Sequence, residues 1–153
     1  MNFDTFNFHP SIMAGVRALG YVTPTPIQIQ TIPPIMQGRD LIGLAQTGTG
    51  KTAAFMLPIL QRLLASPRDD VRALIISPTR ELAEQTSEMI NKLGKQTGLR
   101  SMAVYGGVNM EQQTRRIRSG IEIIAGCSGR LLDHIWKGTI DLSHLEVMVI
   151  DEA

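Results

Sequence analysis

Five short apolar runs recur along the chain: residues 40–45 (DLIGLA), 72–77 (RALIIS), 101–105 (SMAVY), 121–126 (IEIIAG) and 145–150 (LEVMVI). Most are continuously apolar rather than alternating, the pattern of strands covered on both faces. Helical patterns separate them. Residues 51–64 are apolar-rich with Pro58 inside, which predicts a kink or an early break. Residues 79–93 carry Leu82, Thr86, Met89, Ile90 and Leu93 on one stripe, with Thr79 as N-cap and Gly94 as stop. Shorter helices are predicted over residues 110–118, ended by Gly120, and over residues 129–136. Strands alternating with helices predict an α/β fold with a mostly parallel sheet.

The N-terminal segment breaks this rhythm. A helix over residues 10–19 leads to Gly20. Thr23-Pro24-Thr25-Pro26 then forces extended backbone, because a residue before proline avoids the helical region. A second helix is predicted over residues 27–37, interrupted by Pro33 and Pro34.

Composition narrows the class. With 43% hydrophobic and 19% charged residues the chain is globular, and 153 residues suit one domain with a real core. A net charge of +1 neither demands nor excludes nucleic acid, since local patches make phosphate contacts. Cys127 is the single cysteine, so no intrachain disulfide forms, which fits a reducing compartment. No basic-then-apolar leader opens the chain, and no stretch approaches the ~20 apolar residues that span a bilayer. A soluble, cytoplasmic protein is expected. The chain stops directly after an apolar run, so a fragment is expected.

The chemistry begins at residues 45–52, Ala45-Gln46-Thr47-Gly48-Thr49-Gly50-Lys51-Thr52, between a predicted strand and a predicted helix. That context defines a phosphate-binding loop. Gly48 and Gly50 let successive N–H groups face one point, and the helix N-terminus favours anions. Lys51 would reach the β- and γ-phosphates, and the Thr52 hydroxyl would ligate Mg²⁺. The strict pattern begins with glycine where this chain has Ala45. Hydrolysis also needs an acidic residue at a strand end to hold Mg²⁺ and a base to orient water. Asp151 and Glu152 follow the last apolar run and would emerge at the carboxyl edge of the sheet, where ligands of open α/β sheets bind.

Further short motifs stand in a fixed order. They are Gly20-Tyr21-Val22-Thr23-Pro24-Thr25-Pro26-Ile27-Gln28, the loop at 45–52, Pro78-Thr79-Arg80-Glu81-Leu82, Gly106-Gly107, Gly129-Arg130-Leu131 and Asp151-Glu152-Ala153. Together they resemble the Q motif, motif I, motif Ia, the GG element, motif Ib and the start of motif II of a DEAD-box RNA helicase. The resemblance covers nearly all of the chain and implies a RecA-like P-loop domain, incomplete at its C-terminus. It implies a Q-motif segment over residues 1–38, a partial ATP-binding domain over residues 39–153, and a second RecA-like domain that is absent.

The resemblance also implies roles. Gln28 would hydrogen-bond the edges of adenine, Tyr21 would pack on the base and Thr23 would offer its backbone. Asp151 would hold Mg²⁺ through water and Glu152 would activate the attacking water. Pro78, Thr79, Arg80, Gly106, Gly107, Gly129 and Arg130 would contact the RNA backbone with little sequence preference. Phe3 stands where the family has an isolated aromatic and reads equally as a core anchor. Blander readings hold elsewhere. Arg115, Arg116 and Arg118 fit a solvated helix face, Trp136 a helix anchor, and the eight methionines core packing. His9, His134 and His144 lack metal-ligand spacing.

Two departures from the family follow. Motif Ib usually reads Thr-Pro-Gly-Arg, whereas this chain reads Cys127-Ser128-Gly129-Arg130. The final Asp of the Asp-Glu-Ala-Asp box, the Ser-Ala-Thr strand and the second domain are absent. The chain alone is therefore expected to bind adenine nucleotide weakly, to hydrolyse it negligibly and to self-associate through a bare sheet edge. Competing readings are a non-catalytic nucleotide- or RNA-binding module and another P-loop ATPase or kinase. The latter leaves the Q motif unexplained.

Overall fold

The computed structural model describes residues 1–65 and 70–152. They form two compact units: Met1–Ser66 with Lys92–Gly98, and Pro67–Asn91 with Leu99–Ala153.

The first unit is helical. A 3-10 turn, Phe3–Phe6, precedes α1 (Pro10–Ala18), α2 (Pro26–Met36) and α3 (Lys51–Leu64). Proline at the first position of α1 and α2 loses no hydrogen bond, since that N–H has no acceptor within the helix. Phe3 is buried and stacks on Tyr21, with ring centroids 6.1 Å apart. The helices run through their internal prolines: α2 contains Pro33 and Pro34, and α3 continues past Pro58. Neither the expected interruption at Pro33-Pro34 nor an early break at Pro58 occurs. Tertiary burial outweighs the local penalty, with Met56, Leu57, Ile59, Leu60 and Leu63 of α3 at most 1% exposed.

The predicted strand at residues 40–45 does not form. The segment is irregular, with Ile42 94% and Leu44 91% exposed. A strand exists only through its ladder partner. No such partner is present among the described residues.

The second unit is α/β. Its elements are β1 (Ala73–Ile76), α4 (Arg80–Leu93), β2 (Ser101–Val104), α5 (Met110–Arg118), β3 (Ile123–Gly126), α6 (Ser128–Trp136) and β4 (Val147–Ile150). The strands pair in parallel in the order β2-β3-β1-β4. The two central strands are almost wholly buried, as their continuous apolar runs require. Val71, Leu74, Met102, Val104, Ile117, Ile124 and Leu131 share a core cluster. The edge strand β4 is half-exposed, with Met148 54% and Ile150 61% accessible.

Arg72, just before β1, is 1% exposed and donates to the Glu146 carboxylate at 2.6 Å, just before β4. Trp136 does not anchor α6. It is 76% exposed while Leu131 and His134 face inward, because the helix is turned by its Leu131–His134 stripe. Methionines divide: Met13, Met56 and Met102 are buried, whereas Met1, Met36 and Met148 are exposed.

Candidate nucleotide and nucleic-acid sites

In the helical unit, the loop at residues 45–50 enters α3 through two glycines in left-handed conformation, Gly48 (φ 81°) and Gly50 (φ 87°). Lys51 and Thr52 are the first two residues of the helix, whose first turn has no acidic side chain. Backbone donors without helical acceptors, two neighbouring glycines and a lysine suit a polyphosphate. The Thr49 hydroxyl donates to the Gln46 carbonyl at 2.6 Å and braces the turn.

Gln28 is buried and tied to this loop. Its Oε1 accepts from the Thr25 N–H at 2.9 Å and its Nε2 donates to the Gly50 carbonyl at 3.1 Å. Each amide atom keeps one further donor or acceptor position for another ligand. A Cβ on Gly50 would lie 2.5 Å from Gln28 Nε2, so this approach is open only to glycine. Tyr21 is half-buried and Thr23 exposed, both on the segment leading into α2.

In the α/β unit, parallel pairing brings the C-terminal ends of all four strands to one edge. Pro78, Thr79 and Arg80 follow β1; Gly106 and Gly107 follow β2; Gly129 and Arg130 follow β3; Asp151 and Glu152 follow β4. A cleft of about 240 Å³ lies there, lined by Ser77, Pro78, Cys127, Gly129, Asp151 and Glu152 among others. The Asp151 N–H donates to the Ile76 carbonyl at 3.0 Å, carrying β4 pairing to the acidic pair.

Two glycines on this edge stand out. A Cβ on Gly106 or Gly129 would meet nothing within 4 Å, and neither has a positive φ. Neither packing nor backbone conformation asks for glycine at these positions. Bare backbone facing open space suits close approach by a ligand.

The polar side chains around these glycines are fixed. Thr79 caps α4 by accepting from the Leu82 N–H at 3.2 Å. The Arg80 guanidinium lies 4.9 Å from the centre of the Tyr105 ring. The Tyr105 hydroxyl donates to Glu84 at 2.6 Å, and that bond raises its pKa above the ordinary value. Arg130 Nη1 donates to the Val108 carbonyl at 2.9 Å and to Gln113 Oε1 at 3.0 Å. Arg115, Arg116 and Arg118 are exposed, as a solvated face requires.

Sequence reasoning missed Tyr105, Gln113 and His134. The signal for Gln113 was available: it precedes buried Ile117 by one helical repeat, so a polar side chain was due on the inward stripe of α5.

Cys127 is the N-cap of α6 but makes no side-chain cap hydrogen bond. Burial raises its thiol pKa, so it stays protonated. A threonine there would cap the helix, and proline at Ser128 would occupy the favoured first position. Cys127→Thr with Ser128→Pro is expected to add about 1 kcal/mol of stability, roughly 2–4 °C in Tm. It is also expected to tighten binding of single-stranded RNA in a titration beside the parent. Equal RNA affinities would sink the binding half of this expectation.

His134 is fully enclosed, and burial lowers its pKa from 6.5, with the Arg130 charge acting in the same sense. The unfolded chain therefore takes up this proton first as pH falls. Stability from His134 is present above pH 6.5 and is lost below it. Thermal melts from about pH 7.5 to 5.5 should show a steeper fall for the parent than for His134→Gln. Parallel curves would refute the assignment.

Glycine loop, helix N-terminus and a parallel sheet with an acidic pair at its carboxyl edge define a P-loop nucleotide-binding domain of the RecA-like class. Residues 25–153 match the DEAD/DEAH box helicase family. The chain belongs to that family. It is similar to the ATP-dependent RNA helicase CshA of Limosilactobacillus reuteri, at 44% identity over 100% of this chain and 31% of that protein. CshA of Listeria monocytogenes is 46% identical over 99% of this chain and 29% of its own length. Among solved structures, a hypothetical ATP-dependent RNA helicase from Sulfolobus tokodaii superposes with a TM-score of 0.85 at 36% identity. That match covers 94% of this chain and 41% of the other. The chain thus spans about 30% of the length of the curated relatives it matches.

Among the described residues, no three His, Cys, Asp or Glu side chains gather to hold a metal ion, and no helix is long and apolar enough to cross a membrane. A nucleotide-borne Mg²⁺ needs only one or two protein oxygens, because phosphates and water complete its shell. Each unit offers such an oxygen by itself: the Thr52 hydroxyl in the first turn of α3, and the Asp151 carboxylate directly after β4.

Proposed function

We propose that this chain is the ATP-binding part of an RNA helicase that couples ATP hydrolysis to duplex unwinding or remodelling of RNA–protein complexes. The supporting observation is the carboxyl edge of the sheet, where Gly129 lines the cleft that also holds Asp151 and Glu152 and Gly106, after β2, presents bare backbone on the same edge. Residues 1–38 serve as the adenine-recognising segment and residues 39–153 as part of the first RecA-like domain.

In this reading Gln28 selects adenine with its remaining amide positions, Tyr21 packs on the base and Thr23 offers its backbone. The backbone of Ala45, Gln46, Thr47, Gly48, Thr49 and Gly50 wraps the phosphates, and Lys51 neutralises them. Mg²⁺, when bound, supplies charge neutralisation at the phosphates; Thr52 and Asp151 are its protein-side partners. Glu152 takes the proton of the attacking water. Backbone N–H groups of Gly106, Gly107, Gly129 and Arg130, with Pro78, Thr79 and Arg80, hold RNA phosphates without reading bases.

The 153-residue chain alone binds ATP weakly and hydrolyses it negligibly, functions in the cytoplasm as part of the whole protein, and self-associates along the exposed β4 edge. Equilibrium binding of ATP, GTP, CTP and UTP tests the adenine assignment. Preference for ATP that disappears in Gln28→Ala supports it, and equal binding of all four refutes it. A monomer by light scattering would count against self-association, and robust RNA-stimulated ATPase from the chain alone against its inactivity.

A further inference from the structure

Gln113 is a glutamine with 4% exposure on the inward face of α5, and its amide joins three elements. Its Nε2 donates to the Tyr105 carbonyl at 3.0 Å. A carbonyl demands a donor, so the amide orientation is settled and Oε1 faces the other way. There it accepts from Arg130 Nη1 at 3.0 Å and from His134 Nε2 at 3.0 Å. His134 therefore carries its proton on Nε2. Arg130 Nη1 also donates to the Val108 carbonyl at 2.9 Å. Tyr105 and Val108 bracket Gly106 and Gly107. The bare loop is thus pinned on one side by Gln113 and on the other by Arg130, which Gln113 itself holds.

The Arg130 side chain is only 14% exposed and is further oriented by Asp133 at 3.8 Å. Its guanidinium is spent largely on the protein's own carbonyl and amide. The parts left open at this edge are backbone: Gly106 and, at the uncapped first turn of α6, Gly129, whereas Gly107 lies under the Arg80 guanidinium, 3.5 Å from where a Cβ would sit.

We propose that Gln113 is a positioning residue for RNA. It sets the Gly106–Gly107 loop and the N-terminus of α6 at a fixed spacing, so that their N–H groups meet successive phosphates. Arg130 acts here chiefly as the bracket between them. The inference rests on the reading of this edge as an RNA site. A buried amide that serves three partners fixes geometry in a way that no single surface contact does.

The test uses the full-length protein, a fluorescent single-stranded RNA and ATP binding measured in parallel. Gln113→Met keeps length and removes all three hydrogen bonds. It is expected to weaken RNA binding about tenfold and to leave ATP affinity unchanged. Gln113→Glu retains acceptors for Arg130 and His134 and is expected to recover part of the loss; it carries the test if the methionine variant fails to fold. Gly129→Glu places a carboxylate in open space on the same edge as a control on the underlying reading. If Gly129→Glu weakens RNA binding and neither Gln113 variant does, the positioning role is wrong. Equal losses of RNA and ATP affinity in the Gln113 variants would also overturn it, since that is general destabilisation. If Gly129→Glu leaves RNA affinity intact, the reading of the edge falls and the inference falls with it.

Discussion

Gly50→Ala is expected to lower ATP affinity by about tenfold or more, a larger effect than an alanine elsewhere in the loop should have. Two terms act together. Gly50 sits at φ 87°, where an L side chain is strained by roughly 1–2 kcal/mol. The new Cβ would also come within 2.5 Å of Gln28 Nε2 and 3.2 Å of Thr25 Oγ1. Gln28 cannot simply swing aside, because it is buried and its Oε1 is held by the Thr25 N–H. The substitution therefore disturbs the glycine loop and Gln28 at once. A double-mutant cycle with Gln28→Ala measures the shared part. Removing the Gln28 amide should relieve the clash, so Gly50→Ala should do less harm in that background. Strictly additive effects would show that the two residues are not coupled.

Glu146→Ala is expected to destabilise the chain by about 3 kcal/mol, the low end of the range for breaking a buried ion pair. Arg72 is enclosed at the start of β1, and its partner carboxylate is 2.6 Å away. Glu146 keeps 31% side-chain exposure, which softens the loss. The pair fastens β4 to β1 ahead of the strand ladder, where the Glu146 N–H also donates to the Arg72 carbonyl at 2.8 Å. β4 is an edge strand with one partner, so this fastening matters more than it would for a central strand. Because β4 ends at Asp151 and Glu152, looser pairing should reach the acidic pair. Urea unfolding gives the stability change, and hydrogen exchange across residues 147–150 locates it. A loss below about 1 kcal/mol, the range of an exposed pair, would show that the ion pair is incidental.

Much of this architecture was legible because its signals are local. The helix at Met110–Arg118 falls where periodicity and Gly120 put it, and Thr79 caps α4 as its position before the stripe required. Four strands follow their apolar runs with ends trimmed by a residue or two. What was not legible depends on partners distant in sequence. The run at residues 40–45 has strand composition, yet pairing decides strand formation, and composition does not name a partner. Helices α2 and α3 tolerate proline because tertiary burial compensates, which periodicity cannot weigh. The site divides the same way. Short motifs identified the glycine loop, the acidic pair and the strand-end elements. The Gln28–Gly50 clasp and the Gln113–Arg130–His134 hub join residues that no spacing rule connects.

If the glycine loop and the acidic pair serve an RNA-dependent ATPase, as proposed, catalysis depends on both RNA and the Glu152 carboxylate. ATP turnover by the full-length protein, measured with and without single-stranded RNA, tests that dependence most directly. The expected result is ATP turnover that RNA stimulates and that Glu152→Gln abolishes while nucleotide binding persists. Turnover that is indifferent to RNA, or that survives loss of the Glu152 carboxylate, would contradict it.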